Sequence, residues 1–279
     1  MKKAAILLLF SVLFLTACEE AMNPLPIIRQ DGERRVLVEE FSGGNCKPCS
    51  EAAGELANLQ ATYGENLVVV TLHTFLPTPQ ASPAAGATYD FRIQKGTEVL
   101  NQIGIPTGIP AAGINRQPYG DGGSALIAPF SSWAGWIGEE VKKDAALGMS
   151  LDIDYDPAGR EAKFDVNMLP NEPLTGDLRL TVYITEGDIA DKQLTEAGVV
   201  NFTHQHILRD VISAPQGDNL ATSLPAGQRV SRSFSYTVPA ADNKGPWVAE
   251  NCHIVAFVTL VDAASGRQEV LQVVEEKLN

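Results

Sequence analysis

Positive charge is scarce in this chain: 21 Lys and Arg stand against 34 Asp and Glu over 279 residues, a net charge of −13. Such a balance has little to offer a phosphate backbone and argues against nucleic acid as a partner. Histidine and cysteine occur only four times each. No Ser/His/Asp set, phosphate-binding loop or dinucleotide fingerprint can be assembled from the sequence, so no cofactor is expected. The apolar run Ala4 to Leu15 is too short for a comfortable membrane span.

That run is informative for another reason. Lys2 and Lys3 precede it and Leu15-Thr16-Ala17-Cys18 follows it, the charged, apolar and small-residue order of a secretory signal. The Leu-Thr-Ala-Cys motif resembles the lipobox of bacterial lipoproteins. The resemblance implies a signal peptide over 1–17, a lipid-modified Cys18 and a tether over 18–33, anchoring the protein to a membrane without spanning it. An ordinary cleaved signal with a nearby cysteine is the plainer alternative. Glu19 after Cys18 implies the outer membrane by the same resemblance, facing either the periplasm or the cell surface. Removing residues 1–17 leaves 19 cationic against 34 acidic side chains, a net charge of −15.

An exported location permits disulfides. With Cys18 assigned to lipid, Cys46, Cys49 and Cys252 remain, and Cys46-Lys47-Pro48-Cys49 is the only local pair. It joins a β-like run, through Gly43-Gly44, to what reads as a helix start. A thiolate placed there meets unpaired N–H groups and the positive end of a helix dipole, which can lower its pKa to roughly 3.5–7.5. On this reading Cys46 is the nucleophile and Cys49 the resolving thiol. A structural disulfide and half of a metal site compete with it. Cys252 reads as a buried small apolar residue.

The hydrophobic pattern divides the chain in two. Residues 35–41 and 66–73 are near-continuous apolar runs, expected as strands covered on both faces. Between them Ala52, Ala53, Leu56, Leu59 and Tyr63 recur at three and four, predicting a helix over 47–63 and hence a βαβ unit. Residues 89–103 and 130–147 read as further helices, the latter with Trp133, Trp136, Ile137 and Val141 as a core stripe. Strands are expected at 111–115 and at the edge over 124–128. Near Gly148 the pattern turns to strands alone, about seven, with wet and dry residues alternating. The chain therefore divides into an α/β domain over 34–147 and an all-β sandwich of immunoglobulin-like architecture over 148–279.

The N-terminal half resembles the thioredoxin superfamily. There a hydrophobic strand ends in an acid six residues before the first cysteine, as Glu40 does before Cys46. The resemblance implies that Glu40 sits beneath the disulfide and assists proton transfer with Cys49, although a strand-end carboxylate reaching solvent is the bland alternative. It also implies a cis-proline beside the disulfide, just before a strand. Pro110, which leads directly into 111–115, fits better than Pro106. Asn45 departs from the pattern, standing where that family usually has tryptophan. Nearly the whole mature chain, with lipobox, Gly-x-Asn-Cys-x-x-Cys and a later His-x-His-Ile-Leu-Arg-Asp, resembles the outer-membrane protein 28 family of bacterial lipoproteins. That implies location and architecture more firmly than reaction.

His204 and His206 lie two apart on an expected strand at 204–212, hence on one face, and could ligate a metal. Two ligands do not close a site, with Asp210 and His253 the conceivable additions. Sheet-surface histidines are commoner, and no metal is assigned. His73 ends the second strand near the expected active face and reads as structural before catalytic. Two functions follow from these residues. One is a membrane-anchored thiol–disulfide oxidoreductase acting on protein thiols or disulfides through Cys46, Cys49, Glu40 and Pro110. The other is a non-enzymatic surface lipoprotein, its Cys pair a clip and its sandwich binding a protein or glycan.

Overall fold

The computed structural model describes residues 34–119, 125–242 and 244–279. The signal peptide 1–17, Cys18 and the tether over 18–33 lie outside the described residues. Among the described residues no helix is long and apolar enough to cross a membrane. The fold is mostly β sheet, with some helices packed on it.

The two apolar runs are strands β1 (Val36–Ser42) and β2 (Leu67–His73), every residue of both buried. They pair in parallel from Val36 opposite Leu67 to Ser42 opposite His73, joined by helix α1 (Cys49–Tyr63). Helix α2 (Gln94–Ile103) begins later than the expected 89, because residues before it run extended and Arg92 bridges to His73. Strand β3 (Ala111–Ile114) pairs antiparallel with the free edge of β1, and β4 (Leu126–Ile127) closes that side. Helix α3 (Trp133–Glu140) ends well before the expected 147. Leu147 opens a strand instead, and the Glu140 carboxylate at the helix end gathers Asn115, Tyr119 and Lys143.

From there the chain is nearly all strand: β5 (Leu147–Asp156), β6 (Glu161–Pro170), β7 (Leu174–Glu186), β8 (Ile189–Thr195), β9 (Gly198–His204), β10 (Ile207–Val211), β11 (Asp218–Leu224) and β12 (Val230–Thr237). The short β13 (Ala241–Asp242) and β14 (Gly245–Pro246) precede β15 (Cys252–Val261) and β16 (Gln268–Lys277). These are more strands than the seven or so that the sequence pattern suggests, β8 and β11 being among the least legible. Segments such as Ala190-Asp-Lys-Gln and Asp218-Asn carry too few apolar residues to show a period of two.

One sheet runs β16-β15-β7-β10-β2-β1-β3-β4, with β11 also on β7. Its seam is a short parallel pairing of β10 with β2, Ile207 opposite Thr71, supported by a 2.8 Å bond from Thr71 N–H to the His206 carbonyl. A second sheet, β12-β6-β5, faces one side of it. The two-residue period of β15 explains the layering. Ile254, Ala256 and Val258 turn toward Phe164, Val166 and Met168 of the second sheet. Val255 and Phe257 turn the other way, into a core with Leu37 and Phe41 of β1 and Val99, Leu100 and Ile103 of α2. On the remaining face, α1 and α3 lay Leu56, Leu59, Trp133 and Ile137 against Val36 and Val38. Burial of each such side chain stabilises the fold by about 1.5–3 kcal/mol, and Trp133 satisfies its indole N–H on the Ile127 carbonyl at 3.1 Å.

Candidate functional site

β1 delivers the chain to the site and two glycines let it turn there. A Cβ on Gly43 would lie 2.1 Å from the Gln80 carbonyl oxygen, and one on Gly44 2.8 Å from the Ala84 nitrogen. The segment 79–84 therefore passes backbone against backbone, and the Asn45 N–H donates to the Ser82 carbonyl at 2.9 Å. The Asn45 side chain is spent locally too, donating to the Pro79 carbonyl at 3.2 Å.

Cys46 and Cys49 form a disulfide, sulfurs 2.01 Å and Cα atoms 5.4 Å apart. Cys49 opens α1, with Pro48 at its N-cap, where a missing N–H costs nothing. Both cysteines are shut away from solvent, Cys46 at 0% and Cys49 at 2% exposure. The Cys46 sulfur lies 3.7 Å from the Ile109 carbonyl oxygen. The Ile109–Pro110 peptide is cis, and β3 starts at the next residue. Lys47 is half-exposed and faces Glu196 at 3.8 Å.

Glu40 lies on the α1 side of β1. It is 1% exposed, accepts a 3.0 Å hydrogen bond from the Thr71 hydroxyl on one oxygen, and its other oxygen has no hydrogen-bond partner. Burial pushes its pKa up to about 7, against the opposing pull of hydrogen bonds from Thr71 and Ser42. A cavity of about 230 Å³ adjoins it, lined among others by Thr71, Ala53, Gly54, Ala57 and Phe202. Ala53 is one turn beyond Cys49, so the helix face that carries the resolving cysteine is the face that borders this cavity.

His73, level with Ser42 at the strand ends, is buried against Phe91, ring centroids 5.3 Å apart. Burial, with the nearby His204 adding to it, holds its pKa down at about 3, so it is neutral at neutral pH. His204 and His206 do not share a strand face as expected. His204 closes β9, while His206 has a φ of 56° and forms the link to β10. A period-two reading fails wherever one residue leaves the extended region. Burial lowers the pKa of both. Asp210 is engaged by Lys95 at 3.0 Å and His253 by Glu275 at 3.2 Å. No group of three metal-capable side chains occurs among the described residues. Cys252 is free and buried, its thiol pushed up to about 12 by its surroundings, chiefly by burial.

Sequence reasoning missed several residues at the site. Glu39, on the opposite face of β1 from Glu40, is paired by two bonds to Arg116 at 2.7 and 2.8 Å and by the Tyr183 hydroxyl at 2.8 Å. Gln193 of β8 reaches the disulfide loop, its side-chain amide 2.9 Å from the Cys46 carbonyl and 3.2 Å from that of Gly43. An acid inside an apolar strand could have flagged Glu39. Nothing in the polar run around Gln193 could have done the same.

The family described as outer membrane protein Omp28 matches residues 98–279, a stretch that begins within α2 and takes in Pro110 but not Glu40, Cys46 or Cys49. No curated protein gives a significant match. Among solved structures, HBP35 of Porphyromonas gingivalis is similar with a TM-score of 0.65 at 15% identity, over 88% of this chain and 76% of that one. At that identity the likeness is one of fold. A structural-genomics target from Agrobacterium tumefaciens has a TM-score of 0.49 at 13% identity, over 88% of this chain and 94% of its own.

Proposed function

The chain belongs to the outer membrane protein Omp28 family, and from that premise we propose that it is a lipid-anchored envelope protein carrying a thioredoxin-like thiol–disulfide exchange site. The anchor is Cys18, exposed by removal of residues 1–17, and 18–33 is the tether. Residues 34–147 form the thioredoxin-like unit and 148–279 an immunoglobulin-like sandwich, with β10 and β2 joining them edge to edge. The observation that carries this reading is the Cys46–Cys49 disulfide at the start of α1, with the carbonyl before cis-Pro110 3.7 Å from the Cys46 sulfur.

In the reduced protein the Cys46 thiolate attacks a partner disulfide, forming a mixed disulfide and releasing one partner thiolate. Glu40, poised near neutrality, takes the proton from Cys49. The Cys49 thiolate then attacks the Cys46 sulfur, which closes the internal disulfide and frees the second partner thiolate. Two electrons have passed to the partner; the reverse order oxidises it. Cys49→Ala tests this, because it leaves the mixed disulfide unresolved. Captured protein partners that vanish on adding Cys46→Ser support exchange. No capture, together with a pair that stays oxidised at strongly reducing potential, removes it.

One observation favours the other reading, a surface lipoprotein that binds a protein or glycan with the pair as a clip. Both cysteines are buried as the disulfide stands. Under that reading, replacing both lowers thermal stability and leaves ligand binding unchanged.

A further inference from the structure

The hairpin β8–β9 forms a two-stranded sheet of its own, attached to neither large sheet. Its base is fixed. The Asp191 carboxylate accepts from the N–H groups of Thr88 and Tyr89 at 2.7–3.1 Å. Asp188 and Gln205 bond each other across the hairpin mouth at 3.0 and 2.8 Å, and Ile189 packs with Phe91 and Ile207. Its far half is held differently. From Leu194 to Val200 no residue is buried, and Val199 is 42% exposed.

That far half nevertheless lies on the disulfide loop through directional bonds. Gln193, 3% exposed, donates to the Cys46 and Gly43 carbonyls, and the Leu194 N–H donates to the Gly44 carbonyl at 2.9 Å. Three carbonyls of a four-residue loop are thus capped by two neighbouring residues of the other half of the chain. The surface pair of Lys47 with Glu196 adds little, since both side chains are at least half-exposed. The two cysteines that this loop leads into are closed to solvent, whereas exchange requires a thiolate to reach a sulfur directly.

We propose that the β8–β9 hairpin is a strap that decides which thiols reach Cys46 and Cys49, with Gln193 as its latch. The disulfide exchanges from the strap-open form alone, and the observed rate is the open fraction multiplied by the intrinsic rate. Bending at the fixed base while the lightly packed far half lifts breaks three hydrogen bonds and little apolar contact. Gln193 is therefore a specificity-determining residue rather than a catalytic one. Its biological meaning rests on the exchange reading, but its test does not.

The test uses two reductants of different size on the folded protein: a water-soluble trialkylphosphine, and the reduced form of a small thioredoxin. The phosphine gives two electrons to the disulfide and takes its oxygen from water, leaving two thiols and a phosphine oxide. Gln193→Met keeps the side-chain volume and removes the donor. Gln193→Glu removes it and sets a carboxylate against the carbonyls. Both are expected to raise the phosphine rate by about tenfold, as loss of two hydrogen bonds implies, and to raise the rate with the protein reductant further. Losing the latch bonds raises the closed form against both the open form and the unfolded chain, so urea midpoints are expected to fall modestly, while reduction of both variants keeps the weak urea dependence of a local opening. Val199→Ser, on the same far half but off the loop, is expected to keep the wild-type rates. Wild-type rates in both Gln193 variants would overturn the strap. So would reduction rates that rise with urea as steeply as global unfolding does, because the disulfide would then be reached by unfolding. Failure of partner capture with Cys49→Ala, alongside fast reduction of Gln193→Met, leaves the strap standing and removes the exchange reading.

Discussion

Glu39 and Glu40 are neighbours in β1 and end in opposite electrostatic worlds. Glu39 is buried against Arg116, 2.7 Å away, while Glu40 is equally buried against the Thr71 hydroxyl and forms no ion pair among the described residues. The alternation of a strand sends one carboxyl to each face. One face supplies a cation and the other does not, so the first acid is a structural tie and the second a group poised to titrate.

The tie is testable by subtraction. Arg116 is 2% exposed and also donates to Gln268 at 2.8 Å and Tyr183 at 3.1 Å. Glu39→Leu strands its charge in the interior, and a loss of about 3–5 kcal/mol is expected in urea unfolding. Adding Arg116→Met should recover much of that loss, so the two single losses will exceed the double one.

Glu40 predicts a pH dependence of the opposite kind from most carboxylates. Its folded pKa, about 7, lies above the ordinary 4.5, so between those values the folded protein binds more protons than the unfolded chain. Its contribution is therefore fully present below about pH 4.5 and lost as pH rises through 7. The difference amounts to about 3 kcal/mol. Glu40→Gln should remove this fall, read as urea midpoints of the disulfide form between pH 4.5 and 8.

His73 works the other way. Its folded pKa is about 3 against an ordinary 6.5, so in that window the unfolded chain takes up the proton and the folded protein does not. Stability should be complete above pH 6.5 and fall as pH drops toward 3. The two slopes oppose each other between pH 4.5 and 6.5, so the wild type should look flatter there than either variant. His73→Phe, which keeps the ring contact with Phe91, should flatten the acid limb of the same titration, and a limb unchanged by the substitution would refute the assignment.

What could be read from the sequence was local. β1 and β2 showed as unbroken apolar runs because both faces are covered, and α1 showed as a 3.6-residue period ending at Tyr63. The cis bond at Ile109–Pro110 was legible through the thioredoxin resemblance, which implies a cis-proline just before a strand, and the strand expected at 111–115 singled out Pro110 over Pro106. Contacts made at long range were not. Gln193 meets Cys46 across 147 residues and Arg116 meets Glu39 across 77, and no periodicity encodes either. The join of β2 to β10 escaped for the same reason. The strand expected over 204–212 broke because His206 takes a positive φ, which residue type alone does not reveal.

Two glycines near the disulfide should respond oppositely to the same substitution. Gly43 faces the Gln80 carbonyl so closely that an added Cβ would sit 2.1 Å from it, and the obstacle is backbone, which cannot rotate aside. Gly43→Ala should cost about 3 kcal/mol as overpacking and shift the loop that carries Cys46. Gly54, inside α1 and beside the Glu40 cavity, has no atom within 4 Å of an added Cβ. Gly54→Ala should stabilise the protein by about 0.5–1 kcal/mol through helix propensity alone. Thermal unfolding of the two variants checks both signs, and a destabilised Gly54→Ala would mean that the space beside Glu40 is filled in solution.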